Sequence, residues 1–507
     1  MERNVLQFLE KTAATYPEKT AVKDCRESVT FRKLEYHSRL VGSGLVELIS
    51  PGDAIPVYME KGVKTLEAFF GIVYAGGCYS LLAPIQPEER CNSILQRLDA
   101  PVLITDREHL DQAETFVFQG KILLIEELLE SAMAEVKLAR IREDCTDRDP
   151  LYINFTSGST GTPKGVVVGH GSVLSFIRHF VERFHIASDD IIGNQAPFDF
   201  DVSVKDIYSM VLTGATLYLI PRECFAFAKK LLDELEREQI TVMIWAVSAL
   251  CLITSLDGFS YKVPGSVKKV LFSGEVMPMK HLLAWKKALP EAMFVNLYGP
   301  TEITCNCSYY VVPREIGEKD ALPIGRHFPN VRILLLGEGD QLITEKGETG
   351  EICVGGNGPA LGYYGDREKT DAVFMQNPLN TKYRDMLYRT GDLAYYREDG
   401  ELIYVGRRDS QIKHMGHRIE MGEIESCILQ NPEVKRVCCL YDEENQQIVA
   451  FYQGDTDSKG IREGLKKKLI KYMIPGRYVQ VGQMPLNANG KIDRKALRSH
   501  YIDHRDT

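Results

Sequence analysis

The chain has 507 residues, 44% hydrophobic and 26% charged, with a formal net charge of −9 at pH 7. Such a length exceeds one hydrophobic core and implies two or more domains. The acidic balance argues against a nucleic-acid groove or an anionic membrane surface as main partner.

No apolar run is long enough to cross a bilayer. The N-terminal MERNVLQFLEKTAATYPEKT lacks the layout of a secretory signal, and the final YIDHRDT carries no lipidation box. A cytoplasmic protein without membrane insertion is expected. The 12 cysteines are scattered with no C-x-x-C pair, and the 11 histidines form no H-E-x-x-H cluster. Reduced thiols filling cores are therefore expected, and a transition-metal centre is not.

In chain order, short apolar strands alternate with helical patterns. AIPVYM (54–59), APVLITD (100–106) and KILLI (121–125) read as strands, and KTLEAFFGIVYAGGCYSLL as a helix-like buried layer. GVVVGH, ATLYLIP, TVMIWA and KKVLFSG continue the strands, interleaved with the helical GSVLSFIRHF and AKKLLDELEREQI. This alternation predicts an α/β fold of layered, mainly parallel sheets with helices on their faces. From about residue 321 the texture shifts to short strands and turns, in VRILLLGEGDQLI, GEICVGG and GELIYVGR. A β-rich, barrel-like subdomain over 321–408 is expected, completing a large domain of residues 1–408. Beyond GRRDSQIK, the segments MGEIESCILQ, VKRVCCLYD, QQIVAFYQ and IREGLKKKLIKYMIP predict a small α+β domain over 409–507.

Residues 156–165, TSGSTGTPKG, crowd hydroxyls and glycines around Lys164 directly after the strand-like LYINF. Glycine permits close backbone approach, and hydroxyls with a lysine supply donors for an anion. It is not a Walker A loop, since no Ser or Thr follows the lysine to hold magnesium. A surface linker and a phosphate-gripping loop both remain open from this segment alone.

Downstream lie NLYGPTEIT (296–304), YRTGDLA (388–394), GRRDSQIKHMGHRIEMGEIE (406–425) and NANGKIDRKAL (487–497). In this order and spacing, with the 156–165 loop, the chain resembles the adenylate-forming superfamily. It is most similar to the amino-acid adenylation domains of non-ribosomal peptide synthesis and the stand-alone D-alanine–carrier protein ligases. The resemblance runs from FRKLEYHSRLVGSGL to Lys491. It implies an AMP-forming ligase that joins an amino-acid carboxylate to the α-phosphate of ATP, releases pyrophosphate, and passes the acyl group to a phosphopantetheine thiol.

The resemblance also assigns roles, which stand as expectations. Thr156, Ser157, Gly158, Ser159, Thr160, Gly161, Thr162 and Lys164 would wrap the β- and γ-phosphates. Asn296 and Tyr298 would contact adenine, Thr301 the α-phosphate, and Glu302 a magnesium ion. Asp392 would accept both ribose hydroxyls and Arg407 would reach the same region. Tyr404 lies either beside the nucleoside or in the subdomain core without a ligand. Lys491 would bridge the substrate carboxylate and the ATP phosphate, a task suited to a point charge on a flexible stem. Asp409 matches the hinge about which the small domain turns, and Gly416 lies in the segment lining the thiol's entry.

For the acid, PFDFDVSVKDIY places Asp201 where α-amino-acid enzymes hold the substrate ammonium. Val202, Lys205, Ile244, Leu271, Ser273, Leu297, Cys305 and Asn306 map onto other pocket positions. Lys205 has two readings: it faces an acidic substrate side chain, or it snorkels or pairs with Asp206. Phe272-Ser273-Gly274-Glu275 departs from the F-C-G-E of the D-alanine ligases, which weakens a D-alanine assignment. TVMIWAVS also lacks the family's usual proline.

The adenylation unit starts near Met1, few residues follow Lys491, and no Gly-Gly-(His/Asp)-Ser carrier site is present. The expectation is a free-standing ligase that meets its carrier protein in trans. The basic LKKKLIKYMIPGR (465–477) is either part of that docking surface or a solvated helix face. Alternatives are an acyl- or aryl-CoA ligase of the same superfamily, or a nucleotide-binding sensor without turnover.

Overall fold

The computed structural model describes residues 2–158, 162–408, 411–486 and 492–499. The chain folds into two compact units: one of Met1–Ala83, Leu98–Asn154 and Gly165–Arg408, the other of Pro84–Arg97, Phe155–Lys164 and Asp409–Thr507.

In the first unit, a nine-stranded sheet runs in the order Arg326–His327, Ser308–Val311, Met293–Tyr298, Lys269–Ser273, Val242–Ala246, Ile191–Asn194, Thr216–Leu219, Thr20–Lys23, Ser28–Thr30. Its interior pairs are parallel, and antiparallel partners close both ends. A seven-stranded sheet is likewise mainly parallel, with Pro150–Thr156, Cys78–Leu81, Ala54–Tyr58 and Val102–Thr105 as successive neighbours. Strands of this kind are covered on both faces, so they read as continuous apolar runs; Ala54–Tyr58 and Val242–Ala246 are buried at every position.

Between the sheets, close helix packing depends on two glycines. Thr30 caps the helix Phe31–Leu45, its hydroxyl accepting the Lys33 amide at 3.3 Å. Within that helix, a Cβ on Gly42 would lie 2.8 Å from Tyr74 Cβ; one on Gly71 would meet Val41 Cγ1 at 2.4 Å. The helix Val63–Tyr74 is buried along almost its whole length, including Glu67, which the His37 ring meets at 2.6 Å. The stretch read as one helical layer ends at Tyr74, because Gly76 turns the chain at φ 85° and Cys78–Leu81 continues as a strand.

The β-rich part is a six-stranded antiparallel sheet, Leu342–Ile343, Val331–Leu336, Gly350–Gly356, Met386–Tyr396 and Phe374–Gln376, with Leu402–Arg407 added on Met386–Tyr396. The second unit carries a hairpin, Gln411–His414 with His417–Glu420, and a three-stranded sheet, Val434–Asp442, Gln447–Gly454 and Arg477–Gln480. Met415 and Gly416 turn that hairpin with φ of 53° and 81°, the left-handed pair that a two-residue turn requires. The helix at 465 is shorter than its lysines imply. Ser458–Lys466 ends one turn early, and Leu469, Ile470 and Met473 face inward while Lys466 and Lys467 stay exposed.

Candidate functional site

Register brings four of the expected nucleotide residues together. Strand Met386–Tyr396 pairs with Leu402–Arg407 so that Asp392 stands opposite Arg407. The Arg407 guanidinium donates to Asp392 Oδ1 at 2.7 Å, and the Tyr298 hydroxyl, at the end of Met293–Tyr298, donates to Oδ2. The rings of Tyr298 and Tyr404 lie 6.3 Å apart. Asp392 is 1% exposed. Burial and the neighbouring carboxylate push the Tyr298 phenol far above its ordinary pKa, which keeps it a donor.

Behind this cluster, Glu351 fixes the turn that presents Asp392. It accepts Gly391 N–H at 3.1 Å, Arg389 Nη2 at 2.7 Å and Arg408 Nη1 at 2.8 Å. Gly391 sits at φ 74°, and the Asp392 amide donates to Thr390 Oγ1 at 3.0 Å. Asn296 faces elsewhere with its amide, donating to Pro323 O at 2.8 Å. Thr301 opens a short 3₁₀ turn, Thr301–Ile303, and Glu302 is fully buried with its Oε1 accepting the Tyr363 hydroxyl at 2.7 Å.

Residues expected to line the acid pocket are brought together by strained backbone. Thr304 and Cys305 are both left-handed, at φ 52° and 73°, and both are buried. Gly299 permits this fold-back, since a Cβ there would lie 2.5 Å from Asn306 Cα. Two consecutive non-glycine residues in that region are held there by the surrounding packing. The turn delivers Cys305 Sγ to Asp201 O at 3.2 Å and Asn306 Oδ1 to Lys205 Nζ at 2.8 Å. Leu271 pairs with Ile244, and Ser273 with Ala246, so Ile244, Leu271 and Ser273 share adjoining strands beside Leu297.

Asp201, Val202, Lys205, Ile244, Leu271, Ser273, Leu297, Cys305 and Asn306 are all buried. Lys205 is 0% exposed, so its ammonium does not snorkel. Asp206, one residue on, accepts Asn194 Nδ2 at 2.6 Å and also lies within the electrostatic reach of Lys205.

In the second unit, the described part of the 156–165 loop is bonded to carboxylates and backbone of the 417–425 segment. The Ser157 hydroxyl donates to Arg418 O at 2.7 Å and accepts the Glu420 amide at 3.2 Å. Gly158 N–H donates to Glu423 Oε2 at 3.1 Å, Arg90 Nη1 to Glu423 Oε1 at 3.1 Å, and Lys164 Nζ lies 3.9 Å from Glu420 Oε1. Thr156 ends its strand with a buried hydroxyl that has no hydrogen-bond partner among the described residues. Thr162 is exposed. Ser159, Thr160, Gly161, Asp409 and Lys491 lie outside the described residues.

Glu420 and Glu423 as partners of this loop, Arg90 as the partner of Glu423, and the bonded pair Lys61 and Asn194 were not among the expected residues. The carboxylates stood in GHRIEMGEIE, but only a fold links them to Gly158. Among the described residues no group of three or more His, Cys, Asp or Glu side chains gathers as a metal site, and no helix is long and apolar enough to cross a membrane.

Comparison with known proteins agrees with this architecture. Residues 9–364 match the family described as AMP-binding enzyme, and residues 423–491 its C-terminal domain. Tyrocidine synthase 3 of Brevibacillus parabrevis is 33% identical over 97% of this chain, which spans 8% of that protein. Zwittermicin A synthase ZmaJ of Bacillus cereus is 31% identical over 98% of this chain and 95% of its own length. Among solved structures, holo-PA1221, a non-ribosomal peptide synthetase protein containing adenylation and PCP domains, is 25% identical with a TM-score of 0.83. It covers 98% of this chain and 84% of its own. The Vibrio cholerae adenylation domain AlmE, in complex with glycyl-adenosine-5'-phosphate, shares the fold at a TM-score of 0.84 and 22% identity, covering 98% of both chains.

Proposed function

Because the chain belongs to the AMP-binding enzyme family and is an AMP-forming ligase, we propose that it activates an amino acid as its adenylate and loads the phosphopantetheine thiol of a carrier protein. The observation that carries the choice of acid is Asp201, a buried carboxylate at the head of helix Val202–Thr213, in surroundings of buried apolar and neutral groups plus Lys205 and Asp206. A dry carboxylate binds an ammonium and penalises an acid that lacks one, since the charge would be left desolvated and unpaired. A carrier on a separate, cytoplasmic polypeptide is part of the proposal.

The chemistry brings two anions together, so cations and aligned donors must offset their repulsion. Asp392 would accept the ribose hydroxyls while Arg407 and Tyr298 hold its carboxylate in place. Thr301 would meet the α-phosphate. The 156–164 loop would bind the leaving pyrophosphate through Gly158 N–H, its hydroxyls and Lys164. Those same groups are engaged by Glu420 and Glu423 in this structure, so phosphate and carboxylate would compete for them. Lys491 would bridge the reacting carboxylate and phosphate, and Asp409 would serve as the hinge.

Magnesium held largely by substrate phosphates needs only one or two protein carboxylates, and Glu302, buried beside Thr301, fits that demand. When bound there, the ion would neutralise phosphate charge.

The test is loading. Incubated with ATP, magnesium, amino acids and a phosphopantetheinylated carrier protein, the chain should add one aminoacyl mass to the carrier. Acyl transfer to free coenzyme A with the carrier unloaded would favour the acyl- or aryl-CoA ligase reading. ATP binding with neither product would favour a sensor.

A further inference from the structure

Three buried phenols meet where the seven-stranded sheet packs on the helix Val202–Thr213, and two of them satisfy each other. Tyr79 and Tyr152 are register partners on neighbouring strands, their rings 5.9 Å apart with planes 29° from parallel. Phe69 also stacks on Tyr79, at 4.0 Å. The hydroxyls of Tyr79 and Tyr208 lie 2.9 Å apart and share a hydrogen bond. Tyr152 is 1% exposed, yet its hydroxyl has no hydrogen-bond partner among the described residues. Leaving a buried hydroxyl unpaired is costly, so such a group calls for an explanation.

The surroundings of that hydroxyl supply one. The Cys305 thiol adjoins it, but sulfur is a weak acceptor, and the thiol's own proton goes to Asp201 O at 3.2 Å. No described group therefore donates to the phenol oxygen. Lys205, the buried ammonium nearby, donates to Asn306 Oδ1 at 2.8 Å and Ser273 Oγ at 3.4 Å instead. Asp201, the residue expected to hold the substrate's amine, lies in the electrostatic surroundings of Tyr152.

An ammonium carries three N–H donors. Asp201 would supply the counter-charge, but the two oxygens of one carboxylate cannot take all three in good geometry. A neutral acceptor is needed beside it. The Tyr152 oxygen is such an acceptor, and its ring is fixed against Tyr79 before any substrate arrives.

We propose that Tyr152 is a further residue of the amino-acid site, its phenol oxygen accepting an N–H of the substrate ammonium that Asp201 neutralises. The proposal rests on the amino-acid reading above. It gives Tyr152 and Tyr208 opposite roles: one hydroxyl is paired by the substrate, the other within the protein.

Tyr152→Phe keeps the stacked ring and removes only the acceptor. The assay is exchange of pyrophosphate into ATP, driven by the best amino acid of a panel and by its des-amino counterpart, with the Tm of the ligand-free protein measured alongside. The variant should lose about tenfold or more in kcat/KM for the amino acid, the scale of one hydrogen bond to a charged group. The des-amino acid and the KM for ATP should change little, so the preference for the amine shrinks by the same factor, and Tm should not fall. Tyr208→Phe should do the reverse, lowering Tm and leaving the preference intact. A Tyr152→Phe variant that keeps the full preference for the amine overturns the proposal. So does one that loses Tm or fails to fold, because its hydroxyl would then be paired inside the protein. A wild type that shows no preference for the amine overturns both this proposal and the amino-acid reading.

Discussion

Asp392→Asn is the substitution whose consequences the geometry states most fully. The carboxylate is 1% exposed and accepts Arg407 Nη1 at 2.7 Å and the Tyr298 hydroxyl, so an amide of nearly the same shape remains packed between the same partners. What changes is charge. A hydrogen bond to an ionised group contributes about 1.5–3 kcal/mol against about 0.5–1.5 for a neutral one, a loss of roughly 1–1.5 kcal/mol per bond. If Asp392 accepts two ribose hydroxyls, ATP binding weakens by about 2–3 kcal/mol, or roughly 30–150-fold at 1.4 kcal/mol per decade. The assay is amino-acid-dependent pyrophosphate exchange against ATP concentration, repeated with 2′-deoxy- and 3′-deoxy-ATP. The wild type should be penalised by each missing hydroxyl and the variant much less, because the partner of that hydroxyl has already been weakened. An unchanged KM for ATP, or a deoxy penalty as large in Asp392→Asn as in the wild type, would falsify the ribose assignment.

Three further outcomes follow from the structure. His170 is buried, accepts the Val5 amide at Nδ1, and burial lowers its pKa from 6.5 to about 4. The folded state therefore resists a proton that the unfolded chain takes. Stability should be fully present above pH 6.5 and fall by about 3 kcal/mol as the pH drops towards 4, and urea titrations across that window should show the loss shrink in His170→Gln. Glu351→Ala would strip Arg389 and Arg408 of a shared carboxylate and free the Gly391 amide. A cost of about 3 kcal/mol is expected, at the low end for breaking a buried pair because both guanidiniums keep some water; a raised KM for ATP alongside a lowered Tm would mark its support of Asp392, and a Tm change alone would not. Lys491→Ala should cut adenylation by several orders of magnitude while nucleotide still binds, and near wild-type exchange in that variant would remove the bridging role.

Much of this architecture is legible in the sequence. Parallel strands such as Ala54–Tyr58 and Val242–Ala246 announce themselves as apolar runs because both faces are covered. YRTGDLA and NLYGPTEIT pointed to Asp392 and Tyr298, and strand register then brought the pair within a hydrogen bond. The stretch 64–82 reads as one helix-like layer because apolar content alone cannot separate a buried helix from the buried strand that follows it; the Gly76-Gly77 pair is the punctuation between them. Lys205 was noticed, but its two readings could not be separated: a lysine on a helix looks the same in sequence whether Asn306 lies against it or water does. That contact depends on Thr304 and Cys305 in left-handed conformations, for which neither residue type gives a local signal. Arg90 and Glu423 are 333 residues apart, so their pairing is a product of the fold alone.

The central claim, that the acid activated here bears an α-ammonium, is tested most directly by comparing pyrophosphate exchange driven by amino acids with exchange driven by the same acids lacking the α-amino group. Rapid exchange with at least one amino acid and a loss of a hundredfold or more with its des-amino counterpart is the predicted result. Equal rates for the two, or exchange only with acids that lack the amine, would contradict it.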